Sequence, residues 1–296
     1  MLKFIKDWIL PIAMIIGALT HSWIYRLAFL MPYLIFAMLL LTFCKITLKD
    51  IRFHRAHIWL LLIQLGGSIG VYLLLRSYNE IMAQAAMLCI LMPTATAAAV
   101  ITGMLGGNVG FLTAYVFFCN IAVAIAAPFY FALTGAHAEL SFFQSVWIIC
   151  QKVFPLLILP LIITLIFQAR APKVHKILLS ISQMSFYLWV AALMIVTGVS
   201  VNFMLNRNQT NDNMEWKLFA ISLIICCLQF YIGRLIGRRY GDPISSGQGL
   251  GQKNTILAIW MAQTYLHPLT ILAPTGYILW QNIINSWQLY LKGKKK

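Results

Sequence analysis

Two short polar segments inside long apolar stretches hold the residues that could do chemistry. The first, residues 92–99, places Thr94 and Thr96 just after Pro93. The second, residues 247–255, combines three glycines with the polar residues Gln248, Gln252, Lys253, Asn254 and Thr255. Polar groups of this kind need partners in a medium without water, and a bound ion or polar solute is one such partner. The two segments therefore predict a site that binds a solute or an ion.

Covalent and metal chemistry lack their usual groups in the apolar stretches. A nucleophilic enzyme needs a base beside its nucleophile, and a metal site needs clustered ligands. The acidic residues and histidines lie in predicted loops or at helix ends: Asp7, Asp50, Glu80, Glu139, Asp212, Glu215, Asp242, His21, His54, His57, His137, His175 and His267. We therefore expect no enzyme, no metal and no cofactor. A proton relay through membrane carboxylates or histidines is equally hard to build, and the six cysteines are expected to be free, buried thiols.

Composition places the chain in a membrane. Of its 296 residues 61% are hydrophobic and 10% are charged, whereas a soluble domain has about 25% charged residues. A membrane-spanning helix needs roughly 20 mostly apolar residues. Apolar windows predict an all-α membrane protein with ten spans, at residues 8–25, 27–44, 58–75, 81–104, 109–133, 142–167, 177–204, 216–236, 248–265 and 269–290.

The basic residues predict the orientation of these spans. Sixteen of the 22 Lys and Arg residues fall in loops on one side and four on the other. Because cytoplasmic loops are rich in Lys and Arg, we expect a multi-pass protein of the inner cell membrane, monomeric, with both termini in the cytoplasm. The net charge of +15 comes from short clusters between apolar runs, so nucleic-acid binding is not expected. Lys152, near the outer part of span six, is expected to snorkel to the membrane surface.

The two polar segments occupy corresponding places in the chain. Each lies in the fourth of five spans, about half a chain apart, which predicts inverted repeats over residues 1–140 and 141–296. Paired spans interrupted by Gly or Pro point to the binding site of a transporter. We expect helical hydrogen bonding to be lost at residues 93–97 and 247–253. The alternative interpretation is that these small residues serve only close helix packing.

The residues around both segments resemble the bile acid:sodium symporter family over most of the chain. The family's fourth span has a proline, small residues with threonine, and then Gly-Asn-Val. Its ninth span has Glu-x-Gly-x-Gln-Asn, and its tenth has Trp-x-Asn. The corresponding residues here are Pro93-Thr94-Ala95-Thr96, Gly107-Asn108-Val109, Gly249-Leu250-Gly251-Gln252-Lys253-Asn254 and Trp280-Gln281-Asn282.

This resemblance implies a fold and an activity. Spans three to five and eight to ten would form a core domain, in which the two broken helices cross. Spans one, two, six and seven would form a panel domain. The family mostly moves organic anions with a sodium gradient, and the core would move relative to the panel in alternating access.

The sequence departs from the family at the sodium ligands that the resemblance implies. The Ser-Asn pair of span four is replaced by Ala98-Ala99, and the two hydroxyl residues of span five by Leu112 and Val116. The glutamate of span nine is Gly249, and a nearby glutamine is Lys253. Gln64 is the one ligand that is retained. Sodium, as a hard cation, needs several oxygen ligands, so we expect sodium coupling to be lost or altered.

Lys253 is expected to replace the bound cation. Its ammonium would donate to Gln64, Asn254 and backbone carbonyls at the break, although a lysine that snorkels to the membrane surface is an alternative. We predict an ion or coupling site of Lys253, Gln64, Gln252 and Gly249. The predicted contacts with the solute are Thr94, Thr96, Asn254, Thr255, Gln281 and Asn282, the last two mainly by resemblance.

Several alternatives to a sodium-independent transporter of a small organic anion remain at this point. A remodelled site of Gln64 and carbonyls would retain sodium symport. Proton coupling through Lys253 is also open, because burial shifts the proton affinity of a lysine. A membrane enzyme, a sensor or a purely structural membrane protein is the alternative from other classes.

Overall fold

The computed structural model describes residues 2–46, 51–95, 97–135, 139–206 and 213–294. These residues are almost entirely helical. The α-helices are α1 (Leu2–Leu19), α2 (His21–Ile24), α3 (Met31–Phe43), α4 (Arg55–Leu75), α5 (Glu80–Leu91), α6 (Ala98–Leu105), α7 (Val109–Leu133), α8 (Phe142–Arg170), α9 (Pro172–Ser180), α10 (Met184–Leu205), α11 (Met214–Tyr240), α12 (Pro243–Gly251), α13 (Thr255–Tyr265) and α14 (Leu272–Gly293). Two 3-10 helices, Tyr25–Leu30 and Pro268–Ile271, precede α3 and α14.

Six helical stretches in the described part of the chain are long and apolar enough to cross a membrane. They are His21–Phe43, Arg55–Leu75, Val109–Leu133, Phe142–Arg170, Met184–Leu205 and Met214–Tyr240. This supports an all-α membrane protein with several spans. The number ten stays a prediction, as do the inverted repeat and the orientation.

Four predicted spans differ from the helices that form. The first, at residues 8–25, contains the end of α1 at Leu19 and all of α2, and the next long apolar stretch begins at His21. The seventh was expected from residue 177, but residues 177–180 end the separate helix α9 and the long helix begins at Met184. The helix-ending turn contains a bond from the Ser180 hydroxyl to the Ile177 carbonyl, a local bond that competes with continued helix. The predicted spans 81–104 and 248–265 are each two helices, α5 with α6 and α12 with α13.

The chain divides into two compact units. The first comprises Met1–Lys45 and Pro155–Asp212, and the second Ile46–Phe154 and Asn213–Lys296. In the first unit, α1 packs against α10 where Gly17 meets the backbone of Met194, and α2 packs against α10 where Ile24 meets Gly198. Glycine allows this approach because it has no side chain. The assignment of spans to core and panel domains stays a prediction.

The second unit contains both polar segments and is built around α11 and α12. Gly233 and Gly237 of α11 lie against the backbone at Ser246 and Asp242. On α12, Gly251 lies against the ring of Phe230. Gly241, in the left-handed conformation with φ of 80°, makes the turn between the two helices. This hairpin fixes the helix that leads to the second polar segment.

Candidate functional site

Two interrupted helices cross at the centre of the second unit. Helix α5 ends at Leu91 and α6 begins at Ala98, while α12 ends at Gly251 and α13 begins at Thr255. The extended residues between them pair as a short antiparallel bridge, with Thr94 opposite Lys253. The Ala95 N–H donates to the Gln252 carbonyl and the Asn254 N–H to the Pro93 carbonyl, both at 2.9 Å. We call residues 92–95 and 252–254 the crossover; its two strands supply each other's missing backbone partners.

The second interruption is shorter than the sequence predicts. Gly247, Gly249 and Gly251 all lie within α12, and only residues 252–254 leave the helix. The prediction of a break over residues 247–253 was therefore wrong at its beginning. The glycines allow close packing, since Gly247 lies against the Arg234 side chain and Gly251 against the Phe230 ring. This packing outweighs the low helix propensity of glycine, which is about 1 kcal/mol worse than alanine.

Lys253 is buried at the crossover. Its side chain is 2% exposed, and its ammonium donates to the Ile90 carbonyl at 2.8 Å. Ile90 lies in the last turn of α5, whose carbonyls have no partners within the helix. The alternative in which Lys253 snorkels to a membrane surface is wrong, because the ammonium is buried inside the unit. Within the described residues it has no carboxylate partner.

Gln64 does not accept a hydrogen bond from Lys253, contrary to expectation. Its amide nitrogen donates to the carbonyls of Leu91 and Met92, both at 2.8 Å. Its oxygen accepts from the Tyr115 hydroxyl at 2.6 Å and the Cys119 thiol at 3.2 Å. Gln64 thus ties α4 to the end of α5, and both ends of its amide are already engaged.

Asn254 is not an acceptor for Lys253 either. Its side-chain oxygen caps α13 by accepting from the Leu257 N–H at 3.3 Å. An asparagine at this position satisfies one of the free donors of a helix start. Of the predicted acceptors, only a backbone carbonyl bonds to the ammonium within the described residues, that of Ile90 shortly before the break.

At Gly249, where the resemblance expects a glutamate, the Tyr115 ring occupies the space of a side chain. A Cβ atom on Gly249 would lie 2.9 Å from Cδ1 of Tyr115, closer than real contacts allow. The Gly249 carbonyl accepts from the Thr94 hydroxyl at 2.5 Å. Leu112 and Val116, where the resemblance expects hydroxyls, are buried and apolar. The oxygen ligands that the resemblance implies for sodium are therefore absent here or already hydrogen-bonded to other protein groups.

The five predicted solute contacts that the structure describes fall into three groups. Thr94 and Gln281 join the crossover, because Gln281 accepts from the Lys253 N–H at 2.9 Å and Thr94 bonds to Gly249. Asn254 and Thr255 begin α13, with Asn254 half-buried and Thr255 buried. Asn282 bonds to the Ile278 carbonyl of its own helix at 2.8 Å, so the structure does not connect it to the crossover. Thr96 lies outside the described residues.

Several residues at the crossover were missed from the sequence. Tyr277 donates from its hydroxyl to the Gly251 carbonyl at 2.8 Å. Gln229 donates to the Cys89 carbonyl and to the Tyr277 oxygen, both at 3.1 Å. A glutamine in the middle of an apolar helix was a usable signal, because such a group needs a partner. Tyr115 and Cys119 gave no signal, since their types are ordinary in membrane helices.

Comparison with known proteins gives no family assignment. The chain matches no protein-family model and no curated protein. The site therefore rests on its own geometry, which is a buried ammonium at the crossing of two interrupted helices.

Proposed function

We propose that this protein is a secondary transporter of a small organic anion that works by alternating access. It would resemble the bile acid:sodium symporters, with Lys253 in place of a bound cation. The observation that supports this proposal most is the crossover, where the ammonium of Lys253 is 2% exposed and bonded to a carbonyl at the end of α5. Interrupted helices that meet in the interior are typical of ion and solute sites in transporters.

Charge balance makes an anion the fitting solute. A charged side chain within a membrane costs several kcal/mol unless it is solvated or paired. The C-terminal end of α5 offers only partial negative charge, and the described residues supply no carboxylate for Lys253. An anion bound near Lys253 and the start of α13 would complete the charge balance during transport.

Sodium coupling fits the crossover poorly. The oxygens of Gln64 and Gly249 are already engaged with Tyr115, Cys119 and Thr94. A sodium ion about 4 Å from the ammonium would be repelled by about 4 kcal/mol at an effective dielectric constant of 20. Sodium symport would need Gln64 and the Gly249 carbonyl to give up their present bonds.

Proton coupling through Lys253 is the second candidate. Its support is the single acceptor of the ammonium, the Ile90 carbonyl. A lysine that is buried without a carboxylate can release its proton more readily than one in water. Solute binding would then alternate with proton release from this side chain.

The experiment has two stages. A thermal-shift screen of the purified protein against carboxylates, sulfonates and bile acids first selects an anion that stabilises it, because binding to the folded state raises the melting temperature. Uptake of that anion into proteoliposomes is then measured in sodium and in choline buffer, with and without a pH gradient. Equal uptake in all conditions supports the fixed-cation proposal. A strict sodium requirement contradicts it, and dependence on the pH gradient favours the second candidate.

A further inference from the structure

Buried polar atoms without a partner concentrate on three helices of the second unit. Such atoms are rare in folded proteins, and each calls for an explanation such as bound water. Eight are found among the described residues, and five of them lie on α6, α12 and α14 or directly after α12: Thr102 Oγ1, Ser246 Oγ, Gln248 Oε1, Gln252 Oε1 and Asn285 Nδ2. The residues that carry these five atoms are each 5% exposed or less.

Two of these atoms, on Gln248 and Asn285, belong to neighbouring rows of amide side chains. Gln281, Asn285 and Gln288 follow one another at four and three residues along α14, which places them on one face. Gln248 lies on α12, and Gln252 follows four residues later, just past the end of the helix at Gly251. We call these five residues the amide seam. Its rows are in contact, because Gln248 Nε2 donates to Asn285 Oδ1 at 3.0 Å and to Gln288 Oε1 at 3.1 Å.

The amide seam connects the crossover to an exposed end of the unit. At one end, Gln281 accepts from the backbone N–H of Lys253. At the other, the same face of α14 continues to Lys292, which is half-buried and donates to the Met104 carbonyl at 2.8 Å. A polar face therefore follows α14 from the buried crossover to the end of the helix.

We propose that the amide seam holds ordered water, which reaches from the Lys292 end to the peptide of Lys253. The donor or acceptor character of the unpaired atoms determines which ligand fits the amide seam. Gln248 Oε1 and Gln252 Oε1 need a donor, whereas Asn285 Nδ2 needs an acceptor. Water supplies both and commonly satisfies buried polar groups in this way. A bare cation would face the nearby ammonium without a carboxylate, and an anion would face the carbonyl oxygens, so neither matches the seam.

The consequence concerns access to Lys253. Its backbone N–H lies in the protein interior, and the amide seam would give this peptide contact with bulk water from one side only. The peptide hydrogen of Lys253 could then exchange with solvent without passage of the solute. The proposal does not rest on transport, since a hydrated seam is a property of the resting protein.

Radiolytic hydroxyl-radical labelling of the full chain in lipid nanodiscs tests the seam, with water itself as the probe. The variant Asn285→Cys places a reactive sulfur in the seam. The matched control Ile283→Cys places one on the outer surface of the same helix, where Ile283 is 56% exposed and is expected to face lipid. Mass spectrometry of peptides separates both from the native cysteines. We expect oxidation at position 285 to be several-fold faster than at 283. Oxidation at 285 no faster than at 283, while Lys292→Cys is oxidised, would overturn the proposal.

A stability measurement covers the case in which a cysteine disturbs the seam. The double variant Gln248→Leu with Asn285→Leu replaces two facing amides by apolar side chains. In a dry seam this removes unpaired buried groups and raises the melting temperature. In a hydrated seam those groups are already satisfied by water, so the melting temperature is unchanged or lower. A raised melting temperature would contradict the proposal.

Discussion

Three side chains from different parts of the second unit bind the last turn of α5. Gln229 binds the Cys89 carbonyl, Lys253 the Ile90 carbonyl, and Gln64 those of Leu91 and Met92. The carbonyls at a helix end otherwise lack partners, so these side chains take over the role of the next helical turn. Lys253 differs from the two glutamines because its charge also interacts favourably with the helix C-terminus.

The charge and the hydrogen bond of Lys253 can be separated by two substitutions. Lys253→Met removes both and leaves the buried Ile90 carbonyl unpaired, which should cost about 1–3 kcal/mol of stability. Lys253→Gln removes the charge but retains a donor group, so we expect a smaller loss of stability and a clear loss of anion affinity. Thermal melting and binding of the anion selected by screening measure the two effects. Full anion affinity in Lys253→Gln would show that the charge has no role.

Gly249 is expected to tolerate no side chain. In Gly249→Ala the new Cβ would lie 2.9 Å from the Tyr115 ring, so we expect a loss of about 1–3 kcal/mol from overpacking. Gly66→Ala is the matched control, because nothing lies within 4 Å of a Cβ at that helical position. The control should be neutral or slightly more stable, since alanine favours helix by about 1 kcal/mol over glycine. The melting temperatures of the two variants measure these effects. Equal values would contradict the close contact between Gly249 and the Tyr115 ring.

At the scale of helices, the hairpin of α11 and α12 holds the crossover in place. Gly251 ends α12 against the ring of Phe230 on α11, and its carbonyl accepts from Tyr277. Small residues between helices allow the backbones to approach closely. The two helices therefore act as one rigid support for the extended residues 252–254.

The contact between Gly251 and Phe230 can be tested by a double-mutant cycle. Gly251→Ala should destabilise the protein, because the added methyl group meets the Phe230 ring. Phe230→Ala alone should also destabilise it, by about 3–5 kcal/mol through loss of a buried ring. Combined, the two changes should cost less than the sum of the single effects, because the second relieves the overlap caused by the first. Additive melting data would show that the two positions are not coupled.

The sequence predicted the two interruptions but not their extent. Pro93 lacks a donor and the following residues are polar, and these are local causes that can be recognised in a sequence. The second interruption was placed too early because the packing of Gly247, Gly249 and Gly251 against side chains distant in sequence outweighs local propensity. The burial of Lys253 was likewise foreseeable from its apolar surroundings. A backbone carbonyl was among its expected acceptors, but only the folded crossover determines that Ile90, and not Gln64, presents a free oxygen.

For the whole molecule, the membrane topology is the prediction that remains most open. Six described helices suffice by length and composition to cross a membrane, whereas the sequence predicts ten spans. The difference lies partly in the interrupted helices, since α5 with α6 and α12 with α13 are each too short to count alone. If each pair crosses the membrane as one unit, both termini lie on the same side.

Cysteine labelling of intact cells tests this arrangement. Lys173, at the start of α9, belongs to the predicted side that carries sixteen Lys and Arg residues, and the loop with Glu139 to the side that carries four. Because the richer side is cytoplasmic, Glu139→Cys should react with a membrane-impermeant thiol reagent in intact cells. Lys173→Cys should react only after the cells are opened, and the unmodified chain measures the reaction of the native thiols. One predicted span separates these two positions. Equal labelling of both in intact cells would therefore contradict a span at residues 142–167, and with it the arrangement of five spans in each half.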